Sequence, residues 1–278
     1  MTINDKNHTL GNAVNKLVEA GFRTPLSDYR RLLNYSNQSR HVINSHINLE
    51  DKYERQIFDF ALRRRLSQEP VSHIIGYRDF WKSKFFVNQS VLDPRPETEQ
   101  IVERVVKDPS PELSILDLGT GTGCLAISIA LEKPSHRVFA SDISLDAIRV
   151  AKLNAKRLGA GVNFIHSDWF ANINRTFDMI ISNPPYICTR DFLRLPLNIR
   201  RFEPRLALDA GEFGLDCIKQ IAKKLNQYLN PAGTAILEIG IGQKEMVREL
   251  FNSHGFKQVH IFMDLEKMER FVCVKKDA

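Results

Sequence analysis

Cysteine is sparse in this 278-residue chain, and its four copies, Cys124, Cys188, Cys217 and Cys273, form no CxxC pair. That spacing argues against a disulfide framework or a zinc ribbon. The eight histidines are scattered with no HExxH-type spacing, so no structural or catalytic metal is expected. No stretch approaches the ~18 apolar residues that a membrane span requires. The N-terminal MTINDKNHTLGN is polar and lacks the apolar core of a signal peptide, so the chain is expected to stay in the cytoplasm, off membranes. Internal repeats and low-complexity segments are also missing. The excess of one charge sign is small, +6. Basic clusters stand at Arg63-Arg64-Arg65 and at Arg200-Arg201 with Arg205. Each reads either as solvated surface or as attraction to an acidic protein or nucleic acid, and so small an excess does not choose between them.

What is present is ordinary globular material, 43% hydrophobic and 26% charged residues, in a length that suits one large domain plus a small one. Residues 1–75 read as a short helical bundle. Thr24 can cap a helix opened by Pro25, and Tyr53, Ile57, Phe60 and Ala61 fall on one face of a helix through roughly 50–67. Residues 76–95 carry Phe80-Trp81 and Phe85-Phe86-Val87 around Lys82-Ser83-Lys84, which predicts a β-hairpin linking to the second domain. A helix follows Arg95-Pro96-Glu97-Thr98, with Ile101, Val102, Val105 and Val106 on one side, until Asp108-Pro109-Ser110-Pro111 breaks it. Within the expected domain 96–278, strands and helices then alternate. Strands are expected at 114–118, 137–141, 162–165, 177–182, 234–239, 257–263 and 269–275. Helices are expected at 124–132, 145–158 (stopped by Gly159), 215–229 and 243–253. This pattern predicts a mostly parallel sheet covered on both faces. The last two strands have no helix between them, so one of them should run antiparallel.

Asp117-Leu118-Gly119-Thr120-Gly121-Thr122-Gly123 ends a strand and precedes a helix, where glycines let the backbone turn sharply and approach a ligand closely. A dinucleotide loop prefers G-x-G-x-x-G, but position 124 here is Cys124 and an acidic residue leads in. That suits a cationic, pyrophosphate-free nucleoside cofactor such as S-adenosylmethionine. Asp142, at the end of the next strand, could accept from both ribose hydroxyls. Asp168-Trp169 follows the third strand; Trp169 could stack on an adenine ring and Asp168 accept from its amino group, or the pair could be a core tryptophan and a turn aspartate.

Asn183-Pro184-Pro185-Tyr186 is a strand end running into a rigid turn. Pro184 and Pro185 have no N–H, so this wall offers acceptors and almost no backbone donors. The Asn183 side-chain oxygen and the Pro184 carbonyl can each accept one hydrogen of an incoming –NH2, while Tyr186 packs on its flat face or merely terminates the strand. Two acceptors favour the pyramidal, more nucleophilic nitrogen in the transition state. These residues point to methyl transfer onto an amide or exocyclic amine nitrogen.

Several segments resemble the HemK/PrmC family of protein-(glutamine N5) methyltransferases that modify peptide chain release factors. They are Glu69-Pro70-Val71-Ser72-His73-Ile74-Ile75-Gly76, then Pro94-Arg95-Pro96-Glu97-Thr98-Glu99, the glycine loop, Ser167-Asp168-Trp169-Phe170, NPPY, Phe202-Glu203-Pro204 and Leu208-Asp209-Ala210-Gly211. The likeness covers nearly the whole chain. It implies a class I S-adenosylmethionine-dependent methyltransferase, Rossmann-like with a seven-stranded sheet, behind a helical N-terminal domain that recognises the release factor. It implies methylation of the glutamine in the factor's Gly-Gly-Gln loop. By position it implies cofactor contacts at Gly119, Thr120, Gly121, Thr122, Gly123, Asp142, Trp169 and Asn183, and substrate contacts at Asn183, Pro184, Pro185 and Tyr186. Asp93 departs from the aliphatic residue the family usually has there. The chain is expected to be monomeric, with no stable nucleic-acid partner. The competing readings are a methyltransferase for a ribosomal-protein glutamine, one for an exocyclic amine in DNA or RNA, and a cofactor-binding interaction module.

Overall fold

The computed structural model describes the backbone of residues 3–44 and 52–278, and side chains outside 1–10 and 39–53. Its contacts divide into two compact units, one of residues 1–77 with 197–202 and one of residues 78–196 with 203–278.

The first unit is helical: α1 (Ile3–Glu19), α2 (Pro25–Asn44), α3 (Lys52–Leu66) and the short α4 (Val71–Ile75). Leu17, Leu32 and Ala61 are fully buried in its core, where Tyr29 meets Phe58 edge-on at 5.4 Å. Pro25 opens α2 as expected; the Thr24 hydroxyl donates to the Asp28 carboxylate at 3.1 Å. The buried face of α3 differs from the one expected. Phe58, Ala61, Leu62 and Arg65 point inward, whereas Phe60 is 60% exposed; Tyr53 lies outside the described side chains. The reason is Arg65. Its guanidinium lies 3.7 Å from the centre of the Phe22 ring and donates to Asp28 at 2.8 Å, so a residue that reads as surface turns its own stripe into the core. Arg64 in turn holds Glu69 through two hydrogen bonds. Two of the three arginines of this cluster are thereby spent on internal pairing.

β1 (Tyr77–Phe80) and β2 (Ser83–Phe86) form a two-stranded hairpin that, from Arg78 on, opens the second unit. Phe80 and Phe85 are buried with Ile101 and Val105 of α5 (Glu99–Lys107), so the hairpin packs on the sheet layer. A 3-10 turn, Pro96–Thr98, leads into α5. Then come β3 (Ser114–Leu118), α6 (Cys124–Glu132), β4 (Arg137–Asp142), α7 (Leu145–Leu158), β5 (Val162–His166) and β6 (Phe177–Ser182). After α8 (Thr189–Phe192), α9 (Leu197–Phe202), which belongs to the first unit, and a 3-10 turn at Arg205–Ala207, the chain finishes with α10 (Asp216–Tyr228), β7 (Leu229–Glu238), α11 (Lys244–Ser253), β8 (Gln258–Met263) and β9 (Glu269–Lys275). The ends of α7 follow local chemistry: the Ser144 hydroxyl accepts from Ala147 N at 3.2 Å, and Gly159 closes the helix at φ +71°.

The seven strands run in the order β5-β4-β3-β6-β7-β9-β8. All neighbours up to β7 are parallel, and β9 is antiparallel to both β7 and β8. From β3 the chain moves to one side through β4 and β5, then returns to β6 and continues on the other. The boundary between β3 and β6 is therefore a topological switch point, where loops diverge and a crevice opens beyond the strand ends. The Ser182 hydroxyl donates to Leu118 O at 2.6 Å and fastens the two strand ends together.

Candidate functional site

The glycine loop leaves β3 and the NPPY turn leaves β6, so the switch point sets them side by side. A cavity of about 310 Å³ opens between them. Of the expected site residues, Gly119, Gly121, Asp142, Trp169, Asn183 and Pro185 line it, with Asp168 beside Trp169. Thr120, Thr122, Gly123, Pro184 and Tyr186 do not. The Thr120 hydroxyl donates to Asp117 Oδ2 at 2.6 Å. The Thr122 carbonyl accepts from Asn154 Nδ2 at 2.9 Å. Gly123 has φ +82°, and a Cβ there would lie 2.8 Å from the Ile127 side chain. These residues shape the loop from behind.

Four of the loop's five N–H groups, those of Gly119, Thr120, Gly121 and Gly123, are already used. Gly119 N and Thr120 N both donate to Ser141 O at 2.9 Å, Gly123 N donates to Thr120 O at 2.9 Å, and Gly121 N donates to Asp142 Oδ2 at 2.9 Å. A pyrophosphate needs such donors free. Among the described residues lining the cavity there are two carboxylates, Asp142 and Asp168, and no lysine or arginine. The chemistry fits a cationic ligand and disfavours a phosphate-bearing one.

Asp142 accepts one backbone N–H on each oxygen, Gly121 N and Ser144 N, both at 2.9 Å, which leaves a lone pair on each for ligand hydroxyls. Burial pushes its pKa up, opposed by those two N–H donors. Asp117 is deeper, and burial pushes its carboxyl up to about 7. Trp169 sits at φ +45°, a conformation sparsely used by bulky residues, held by the Ser167 hydroxyl donating to its carbonyl at 2.8 Å.

The NPPY turn is fixed on its far side. Asn183 Nδ2 donates to Thr98 Oγ1 at 3.1 Å, and Thr98 Oγ1 donates to Glu238 Oε2 at 2.6 Å. The Tyr186 hydroxyl donates to Glu238 Oε1 at 3.1 Å. Burial and the adjacent Glu238 carboxylate push the Tyr186 phenol well above its usual range. The phenol hydroxyl is thus engaged by Glu238, and Tyr186 is not among the residues lining the cavity. Gln243 adds a backbone brace, with Nε2 donating to Tyr186 O at 2.9 Å and to Gly214 O at 3.0 Å, and Oε1 accepting from Gly240 N at 2.8 Å.

Two further ties hold the region. Asn154 of α7 bridges the hairpin and the glycine loop, accepting from Phe86 N at 2.7 Å while donating to Phe86 O and Thr122 O. Arg95 grips both oxygens of Glu203 at 2.8 and 2.7 Å, joining the PRPETE segment to the FEP segment. Asp93, the departure noted above, lies buried with the Arg78 guanidinium 4.0 Å away; its charge is met rather than stranded.

The sequence did not point to Leu92, Leu206, Cys217 or Gln220, which are among the residues of the cavity wall, nor to Thr98, Glu238 and Gln243 behind it. Glu238 carried a signal: an acidic residue closing an otherwise apolar strand, Ala235-Ile236-Leu237-Glu238, is expensive to bury without a task.

Residues 94–193 match the "methyltransferase small domain" family. A release factor glutamine methyltransferase of Cereibacter sphaeroides is 37% identical over 271 residues, covering 96% of both chains. One from Neisseria gonorrhoeae is 42% identical over 224 residues, covering 80% of this chain and 82% of that one. The chain belongs to the release factor glutamine methyltransferase family. This is the family that the EPxxHIIG, PRPETE and NPPY segments resemble. A bifunctional methyltransferase of Rickettsia typhi is 36% identical over 95% of this chain, yet that match covers 56% of the relative, so the chain spans about half the length of relatives of that kind. Among solved structures, a methyltransferase from Pyrococcus furiosus superposes with TM-score 0.54 at 18% identity, covering 70% of this chain and 89% of that one. A Thermus thermophilus 16S rRNA N2 methyltransferase in complex with AdoMet and guanosine gives 0.52 at 15% identity, covering 72% and 49%. These likenesses establish the fold, that of a class I methyltransferase.

Proposed function

We propose that this protein transfers a methyl group from S-adenosylmethionine to the side-chain amide nitrogen of the glutamine in the Gly-Gly-Gln loop of peptide chain release factors. The reading includes a monomeric enzyme acting in the cytoplasm, where translation terminates. The helical residues 1–75 would recognise the factor, residues 76–95 would link, and residues 96–278 would perform the chemistry. The observation that carries it is Asn183: its amide nitrogen is tied back to Thr98 while the residue lines the same cavity as Gly119, Gly121 and Asp142.

When bound, S-adenosylmethionine supplies an electrophilic methyl group on a positively charged sulfur. Asp142 would take its ribose hydroxyls on the two free lone pairs, Trp169 would face its base, and the glycine loop would admit it closely. The spent N–H groups of the loop and the absence of lysine and arginine from the wall suit a cation without phosphates. Asn183 Oδ1 would accept one amide hydrogen, and the carbonyl of Pro184, which sits between the cavity-lining Asn183 and Pro185, would accept the other, holding the nitrogen lone pair toward the methyl carbon. Asn183 and the NPPY turn would thus hold the acceptor nitrogen in line with the methyl group that the cofactor supplies. Once methylated, the nitrogen carries an acidic proton, which leaves to water, so no strong base is required. Positioning and electrostatics supply the rate.

Asn183→Ala removes one of the two acceptors. Its turnover on a purified release factor is expected to fall about 10²–10³-fold, with S-adenosylmethionine affinity by calorimetry changed far less, because the lost contact strengthens in the transition state. Wild-type turnover in this variant contradicts the role.

A further inference from the structure

A carboxamide is an acceptor on one side and a donor on the other, and the two sides are nearly isosteric. Turned over, Asn183 would present N–H groups to an –NH2 and repel the substrate it is proposed to hold. The choice of face is made outside the cavity. A threonine hydroxyl has one proton, and Thr98 gives it to Glu238 Oε2 at 2.6 Å. Only lone pairs of Thr98 then remain for Asn183, and only the Nδ2 side of Asn183 can meet a lone pair; that bond is 3.1 Å. Glu238 is committed as an acceptor on both oxygens, because the Tyr186 hydroxyl donates to the other at 3.1 Å. The assembly is shielded from water: Thr98 is 3% and Glu238 1% exposed.

We infer that Thr98 and Glu238 are positioning residues that fix the Asn183 carboxamide with Oδ1 toward the cavity, making the site selective for a donor nitrogen. The inference rests on the proposed function and deepens it. A carboxylate side chain in place of the substrate glutamine offers acceptors only; against Oδ1 and the Pro184 carbonyl it meets acceptors alone, so the relay selects glutamine over glutamate. The relay is built from three separated stretches of chain: the turn before α5, the end of β6 and the end of β7. Neither Thr98 nor Glu238 needs to touch substrate or cofactor.

Thr98→Val keeps the shape of the side chain and removes the hydroxyl. Single-turnover transfer from labelled S-adenosylmethionine to a release factor is expected to slow by roughly 10- to 100-fold, the equivalent of one misdirected polar contact, with cofactor affinity unchanged. Thr98→Ser restores the hydroxyl and the rate. In an Asn183→Asp background both terminal atoms are acceptors and there is no face to choose, so adding Thr98→Val should slow transfer no further. A merely structural role would give the same penalty in both backgrounds, together with a lowered Tm in Thr98→Val, and that pattern overturns the inference. So does wild-type transfer in Thr98→Val. An independent readout is the exchange of the Asn183 side-chain NH2 protons by NMR, slow in the wild type and fast in Thr98→Val with backbone protection retained. Equal exchange in the two refutes the relay. A wild-type chain that shows slow exchange but methylates no release factor refutes the functional reading and leaves the relay standing.

Discussion

Two carboxylates flank the glycine loop, one half-buried and one buried, and their surroundings give them different work. Asp142 is at the cavity wall with both oxygens partly occupied by backbone N–H groups. Asp117 lies underneath, 1% exposed, holding the Thr120 hydroxyl. Burial raises the Asp117 pKa from 3.8 to about 7, so between those values the folded protein keeps a proton that the unfolded chain releases. Stability from this group is complete below about pH 4 and is lost as the pH rises toward 7. Asp117→Asn keeps the acceptor for Thr120 and cannot ionise. The wild type should therefore lose stability between pH 5 and pH 8 relative to Asp117→Asn, by up to about 3 kcal/mol at 1.36 kcal/mol per pKa unit. Urea unfolding of both proteins at the two pH values measures this. Curves that shift in parallel show that Asp117 does not titrate in the folded state.

At the scale of elements, the site depends on how tightly the NPPY turn is clamped against the segments that cross it. Gly214, at φ +71°, passes so close that an added Cβ would lie 2.5 Å from the Tyr186 carbonyl oxygen and 3.0 Å from Cys188 N. Neither backbone atom can move without disturbing the turn. Gly214→Ala is expected to destabilise by about 2–4 kcal/mol through overpacking and the left-handed backbone. Gly242→Ala, at φ +84° with open space around it, isolates the backbone part and should lose only about 1–2 kcal/mol. Denaturant midpoints for the two variants decide; equal losses would show that the Tyr186 contact is loose. The elements themselves were legible where periodicity was strong. Strands 114–118, 177–182 and 269–275 and helix 124–132 fall where the pattern of apolar residues puts them; for the first two strands the reason is that a buried parallel sheet demands long apolar runs. The segment between NPPY and Leu208 was not legible: α8 and α9 are only four and six residues long, too short to display a helical period. Strand β7 starts at Leu229 rather than 234, past Asn230-Pro231-Ala232-Gly233, a stretch that reads as a turn. In the site, Gly119, Asp142 and Asn183 were legible because each sits at a strand end with a distinctive neighbour. Thr98, Glu238 and Gln243 act across 52 to 140 residues of sequence, a separation that only the fold closes.

At the scale of the whole molecule, the chain divides into a helical unit and a sheet unit, each with its own core. The second unit contains the entire cavity and the relay behind it, and family membership extends across both. Mass spectrometry of a purified release factor after incubation with this protein and S-adenosylmethionine tests the account most directly, with a ribosomal protein, DNA and RNA incubated in parallel. The account predicts one added methyl on the glutamine of the Gly-Gly-Gln loop, abolished when that glutamine is replaced; a methyl found instead on the ribosomal protein or on nucleic acid, with the release factor unmodified, would contradict it.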